Sequence, residues 1–161
     1  MVQMQPLSAA GAVSSADRSL GDWQRSTLRG NRALGQGSLA EALEHYRAAL
    51  ALAEALQDGP GEPDTALAAL VVSHHNLAEL HLRASRPDAD LAAAHLCRAH
   101  ELLHGMLSDA RETPERRLAA WRHGRVTYVQ LQNFLQRHPG HARARRAAAL
   151  LWKHPGETLP H

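Results

Sequence analysis

Between residues 39 and 53 the apolar positions Leu39, Leu43, Tyr46, Leu50 and Ala53 recur at steps of four, three, four and three. This is the spacing of one helix face, since 3.6 residues per turn bring i, i+3, i+4 and i+7 together. Ala42 and Ala49 widen the stripe. "SLAE" at 38–41 predicts where the helix starts, with Ser38 as cap and Glu41 reaching back to it. "GQG" at 35–37 separates it from an earlier helix, predicted from a Ser19 cap to about Leu34. "DGPGEP" at 58–63 ends it, because glycine and proline interrupt a helix for opposite reasons.

The same reading continues downstream. A third helix is predicted from about Asp64 to Ala84, with the stripe Leu67, Leu70, Val71, His74, Leu77, Ala78 and His81. "SRPDAD" at 85–90 turns into a fourth, striped by Ala92, Leu96, Ala99, Leu103 and Met106. Thr113 caps a fifth, with Pro114 in its first turn. That helix carries Ala120, Trp121, Gly124, Tyr128, Leu131, Phe134 and Leu135 on one side. "HPG" at 138–140 precedes a short basic sixth helix, predicted from about Ala142 to Trp152. Residues 1–16 and 154–161 lack periodicity and read as flexible tails around one helical domain, 17–153.

Composition agrees with helices alone. Isoleucine is absent and aromatics are 4% of 161 residues, so strand formers are scarce. Alanine, leucine, arginine and glutamate are strong helix formers. The length suits one domain with its own core. The fold expected is therefore all-α: antiparallel helical hairpins stacked as a short solenoid of about six helices.

The hairpins look repeated. Gly30, Gly37, Ala42, Tyr46, Ala49 and Leu50 in the first pair fall at the spacings of a tetratricopeptide repeat, which this stretch resembles. A second unit, about 64–107, offers Ala78, His81, Ala92, Leu96 and Ala99 at the matching places. A third, about 113–152, keeps Trp121 and, seven residues on, Tyr128; the first spans about 20–56. The resemblance implies close helix packing at the small residues and a concave groove lined by the first helix of each pair. It also implies a non-enzymatic role, adaptor or co-chaperone-like, holding a peptide or helix of another protein. The groove positions so implied are Thr27, Asn31, Leu34, His75, Asn76, Glu79, Arg83, Arg122 and Arg125. Where some members clamp a carboxylate with lysine, this chain has Thr27, and Lys153 is its only lysine. Arg122 and Arg125 are the residues that could supply that charge, since arginine grips carboxylates bidentately.

Other chemistry is sparse. His100-Glu101-Leu102-Leu103-His104 has the H-E-x-x-H spacing of zinc peptidases. A catalytic zinc needs a third protein ligand, and the downstream places hold Leu107 and Ala110. On the wheel His100 and His104 lie on the flank of the Leu96–Ala99–Leu103 stripe, which reads as a solvated flank; a non-catalytic metal-binding role for these two histidines is the alternative. His74 and His81, seven apart on an apolar stripe, read as half-buried histidines bonded to neighbouring backbone, and His75 as facing the groove. Cys97 has no partner cysteine and reads as a packing residue. No cofactor is expected.

Charge is uneven. Residues 1–110 carry 8 basic and 13 acidic side chains, whereas 111–161 carry 10 and 3. Arg137, Arg143, Arg145, Arg146 and Lys153 make the C-terminal block a candidate for an acidic partner, for self-association with the acidic part of a second copy, or for nucleic acid. Nucleic acid is the weakest of these, since no aromatic row accompanies the arginines. No 18-residue apolar run exists, and the N-terminus lacks the basic start and apolar core of a signal peptide, so a cytoplasmic, membrane-free protein is expected.

Overall fold

The computed structural model describes residues 13–157. Within them the chain forms six helices and no strand: α1 (Ser15–Gly35), α2 (Leu39–Leu56), α3 (Pro63–Arg83), α4 (Ala89–Ser108), α5 (Pro114–Arg137) and α6 (Ala142–Ala148). Each packs on the next in the chain, α1 and α5 also touch α3, and α6 rests on both α4 and α5. This is a stack of three helical hairpins with α3 and α4 at its centre. Ten residues of α3 are buried, on more than one face, as its position between neighbours requires.

Local chemistry sets the boundaries. Gly37 adopts φ +75, the left-handed turn between α1 and α2 that a side chain would strain. Thr113 and Asp88 cap α5 and α4 through their side chains, and His141 caps α6 by accepting from the Ala144 N–H. Three expectations need correction. α1 is capped by Ser14 rather than Ser19, so Ser15 and Ala16 belong to the helix and not to a tail. Ser14 accepts from the Asp17 N–H at 3.1 Å and donates to its carboxylate at 2.7 Å, a capping frame one turn earlier than the one predicted. Ser38 occupies the cap position of α2, yet its side chain makes no capping bond. α6 ends at Ala148, and Ala149–Trp152 continue as an irregular strap. Residues 1–12 and 158–161, the bulk of both predicted tails, lie outside the described residues.

Small residues let the first hairpin close. The buried line of α2 is Ala42, Tyr46, Ala49, Ala53 and Leu56, while Leu39, Leu43 and Leu50 are only half-buried at its margins. The Tyr46 ring packs directly against Gly30 of α1, where a Cβ would fall inside the ring's contact distance. Gly105 of α4 faces open space instead. The two glycines should therefore respond oppositely to alanine. Gly105→Ala is expected to stabilise by about 0.5–1 kcal/mol through helix propensity. Gly30→Ala is expected to destabilise by about 1–2 kcal/mol, because overpacking exceeds that same gain. Urea denaturation of both variants checks the sign; a stabilised Gly30→Ala would refute the close packing.

Of the other predicted packing positions, Ala78, Ala92, Leu96 and Ala99 are buried, and His81 and Trp121 are half-buried. Tyr128 is a correction: it is 43% exposed, and Thr127 beside it takes the buried place. The stripe of α5 runs through Ala120, Gly124, Thr127, Leu131 and Phe134, rotated off Tyr128 by one residue.

Candidate partner-binding groove

Six of the nine predicted groove residues meet. Asn31 and Leu34 from α1 and His75, Asn76, Glu79 and Arg83 from α3 line one cup of about 360 Å³, with Tyr46 at its base. The Tyr46 hydroxyl donates to Asn31 Oδ1 at 2.7 Å. That bond orients the amide and leaves its NH₂ as the donor for a ligand. Glu79 and Arg83 pair across one helical turn at 3.4 Å. His75 and Glu79 also line a second cavity of about 590 Å³ between α3 and α5, together with Gln130, Asn133, Gln136 and Arg137. The two cavities share His75 and Glu79 as a common wall and together follow α1, α3 and α5; the second also carries Ala78, Leu82, Pro87, Leu96 and Phe134, so its lining is mixed. The α5 wall of the second cavity was missed in the sequence, where Arg122 and Arg125 were the groove positions taken from that helix.

The remaining three residues lie elsewhere. Thr27 is buried at 8% exposure with no hydrogen-bond partner for its hydroxyl. Arg122 pairs with Asp64 at 3.0 Å, tying α5 to the start of α3. Arg125 sits over the Trp121 ring, 5.7 Å from its centre. Neither arginine reaches the cup, which removes the substitute carboxylate clamp.

The H-E-x-x-H stretch proves to be a clasp. His100 is not on a solvated flank; it is fully buried. Thr127 donates its hydroxyl hydrogen to the Gly124 carbonyl at 3.0 Å. The 2.7 Å contact between His100 Nδ1 and Thr127 Oγ1 must then use the ring N–H as donor. His100 Nε2 is left as the acceptor, and the Trp152 indole N–H donates to it at 3.1 Å. His104 Nε2 donates to the Leu151 carbonyl at 3.0 Å. Glu101 pairs with Arg143 of α6 at 3.2 Å. All three polar residues of the motif thus hold α6 and the strap against α4. Trp152 fills the gap over Gly124, where no side chain would fit.

A second histidine group spans α3 and α4. His74 Nδ1 lies 3.1 Å from His95 Nδ1, so His74 bonds another histidine rather than backbone. His95 in turn stacks on His81, with ring centres 5.8 Å apart. Burial, then the charges of His95 and Arg98, pull the His74 pKa down to about 4. Burial likewise lowers His81 and His95. His100 falls to about 4, through burial and then the neighbouring His104. Burial raises the Cys97 thiol to about 11, which leaves it unreactive near neutrality. Among the described residues no three His, Cys, Asp or Glu side chains gather as metal ligands. Nor is any helix long and apolar enough to cross a membrane.

The basic block is partly spent on structure: Arg143 is paired, while Arg145 and Arg146 are exposed on α6. A family model described as "Protein of unknown function (DUF2753)" matches residues 21–153. No curated protein and no solved structure matches the chain.

Proposed function

The chain belongs to the DUF2753 family of proteins of unknown function, and within it we propose a non-enzymatic, cytoplasmic protein-binding module that holds an extended peptide of a partner along α1, α3 and α5. The single observation that carries this reading is the groove made by two cavities that share His75 and Glu79 as a common wall. Its walls hold amides at five places, Asn31, Asn76, Gln130, Asn133 and Gln136. An amide offers a donor and an acceptor together, which is what a peptide unit requires. A row of them can hold backbone with little regard for side chains. The resemblance to tetratricopeptide repeats points the same way.

Panning a random peptide library on the chain tests the proposal. Selected peptides are expected to bind the Asn31→Ala/Asn76→Ala double variant at least about tenfold more weakly, the loss of one or two well-made hydrogen bonds. Equal binding to both proteins would remove the groove as the binding site.

A further inference from the structure

α5 is under-covered, and the bare part has a definite character. In this array the second helix of each hairpin shields the first. α2 and α4 have 18 and 20 residues for that purpose, but α6 has 7 against the 24 of α5. The strap makes up some of the deficit by laying Trp152 over Gly124. Between strap and helix an apolar groove of about 890 Å³ remains, with Trp121, Val126 and Val129 on one side and Leu151 and Trp152 on the other. Val126, Val129 and Leu151 are 48%, 55% and 82% exposed. Three large aliphatic side chains converging in one groove are more than scattered surface residues.

Charge narrows the occupant. Arg125 is in the groove wall, and no carboxylate is. Lys153 and His154 directly follow Trp152, and the His154 ring packs edge-on against Trp121, 4.6 Å between centres. From Pro114 onward the described residues hold nine arginines and lysines but only two acids, Glu115 and Glu157. The apolar wall from Trp121 to Val129 runs about 12 Å, a little over two helical turns. A helix can lay its apolar stripe into such a groove, reading it at i, i+3, i+4 and i+7.

We infer that the groove between α5 and the 149–152 strap docks an amphipathic helix of a partner protein, one whose apolar stripe is flanked by acidic side chains. The site is separate from the groove along α1, α3 and α5. The two meet only at Gln130, which lines both the α3–α5 cavity and this groove.

Two synthetic helices of about 18 residues test it. Both carry one leucine stripe, with glutamate flanks in one and lysine flanks in the other, and binding to the full chain is read by fluorescence anisotropy. The glutamate helix is expected to bind at least about tenfold tighter than the lysine helix, with the difference shrinking as salt rises. Val129→Glu is expected to cost at least about tenfold, and Arg125→Glu to reverse the preference. Val129 and Arg125 are exposed, so both variants should fold, and a circular-dichroism melt confirms it. Asn31→Ala/Asn76→Ala should bind the glutamate helix unchanged, which keeps this site's failure distinct from failure of the groove along α1, α3 and α5. Equal affinity for the two helices, no binding of the glutamate helix, or indifference to Val129→Glu would each overturn the inference. So would a homodimer in sedimentation that Val129→Glu dissolves, since the occupant would then be a second copy.

Discussion

Between pH 6.5 and pH 5 the protein is expected to lose stability steeply, with unfolding taking up about two protons. His74 and His100 both have folded-state pKa values of about 4 against 6.5 for a free imidazole. A histidine whose pKa falls to about 4 on folding stays neutral in the native state across that interval, whereas in the unfolded chain it goes from half charged at pH 6.5 to almost fully charged at pH 5. Protons therefore favour unfolding. The contribution is complete above pH 6.5, declines as the pH drops, and levels off below about 4. Each such ring contributes a slope of up to about 1.4 kcal/mol per pH unit, so the pair gives nearly 3. His81 and His95 shift in the same direction and add to it. From pH 6.5 to pH 5 the pair's loss is about 3 kcal/mol, a large fraction of the stability of an ordinary domain.

The surroundings of the α3–α4 group reinforce that sign. Arg98 from α4 and Arg47 from α2 face the rings, and Asp88 beside His81 is the acidic group opposing them. A proton on His74 would enter a site 3% exposed, whose Nε2 has no protein partner. Burying such a charge is costly, so the helices separate before the ring titrates in place. Surface carboxylates protonate mainly below about pH 4.5, which makes pH 5–6.5 a window for the histidines. Urea unfolding at steps of pH measures the slope. A flat stability between pH 6.5 and 5 would mean that the rings are open to water.

How much of this was legible in the sequence depends on how local each cause is. Loops announce themselves through Gly37, Pro63 and Pro114, and a cap through Thr113, so five helices are found close to where they were expected. The alanine line Ala42, Ala49 and Ala53 was visible because a helix face repeats within a few residues. The end of α6 was not. The sixth helix was expected to run on to about Trp152, whereas Trp152 is held by Gly124 and by His100, 52 residues away. His100 was misplaced for a related reason. The wheel identifies one apolar face, but α4 also lies beneath α6 and the strap, so a polar-looking flank is covered by a late segment of chain. The cup was readable because Asn31, Leu34, Asn76, Glu79 and Arg83 sit on the first helices of two adjacent hairpins. Arg122 and Arg125 were extrapolated to the third, where Asp64 and Trp121 draw them away.

Trp152→Ala is expected to cost about 3 kcal/mol at pH 7, the lower end for emptying a tryptophan site because this ring is half-buried. Two contributions make up the loss. Trp152 packs on Gly124, and no neighbouring Cβ at that glycine can fill the space it leaves. Its indole N–H also satisfies His100 Nε2, so removal leaves a buried acceptor unpaired unless water enters. Entry of water gives the substitution a second signature. Once His100 is hydrated, its pKa climbs back toward 6.5, and the folded protein can carry that proton itself. Unfolding of Trp152→Ala between pH 6.5 and 5 should therefore take up about one proton fewer than the parent chain. Trp152→Phe separates the two effects: it keeps most of the packing, loses the N–H, and should cost about 1 kcal/mol. His104 still donates to the Leu151 carbonyl in both variants, so the strap stays near α4 and the change remains local. Stability measured at pH 7 and pH 5.5 for the three proteins decides the matter. A Trp152→Ala protein that is destabilised equally at both pH values would show that the strap packs without sealing His100, and the proton-linked part of the clasp would be lost.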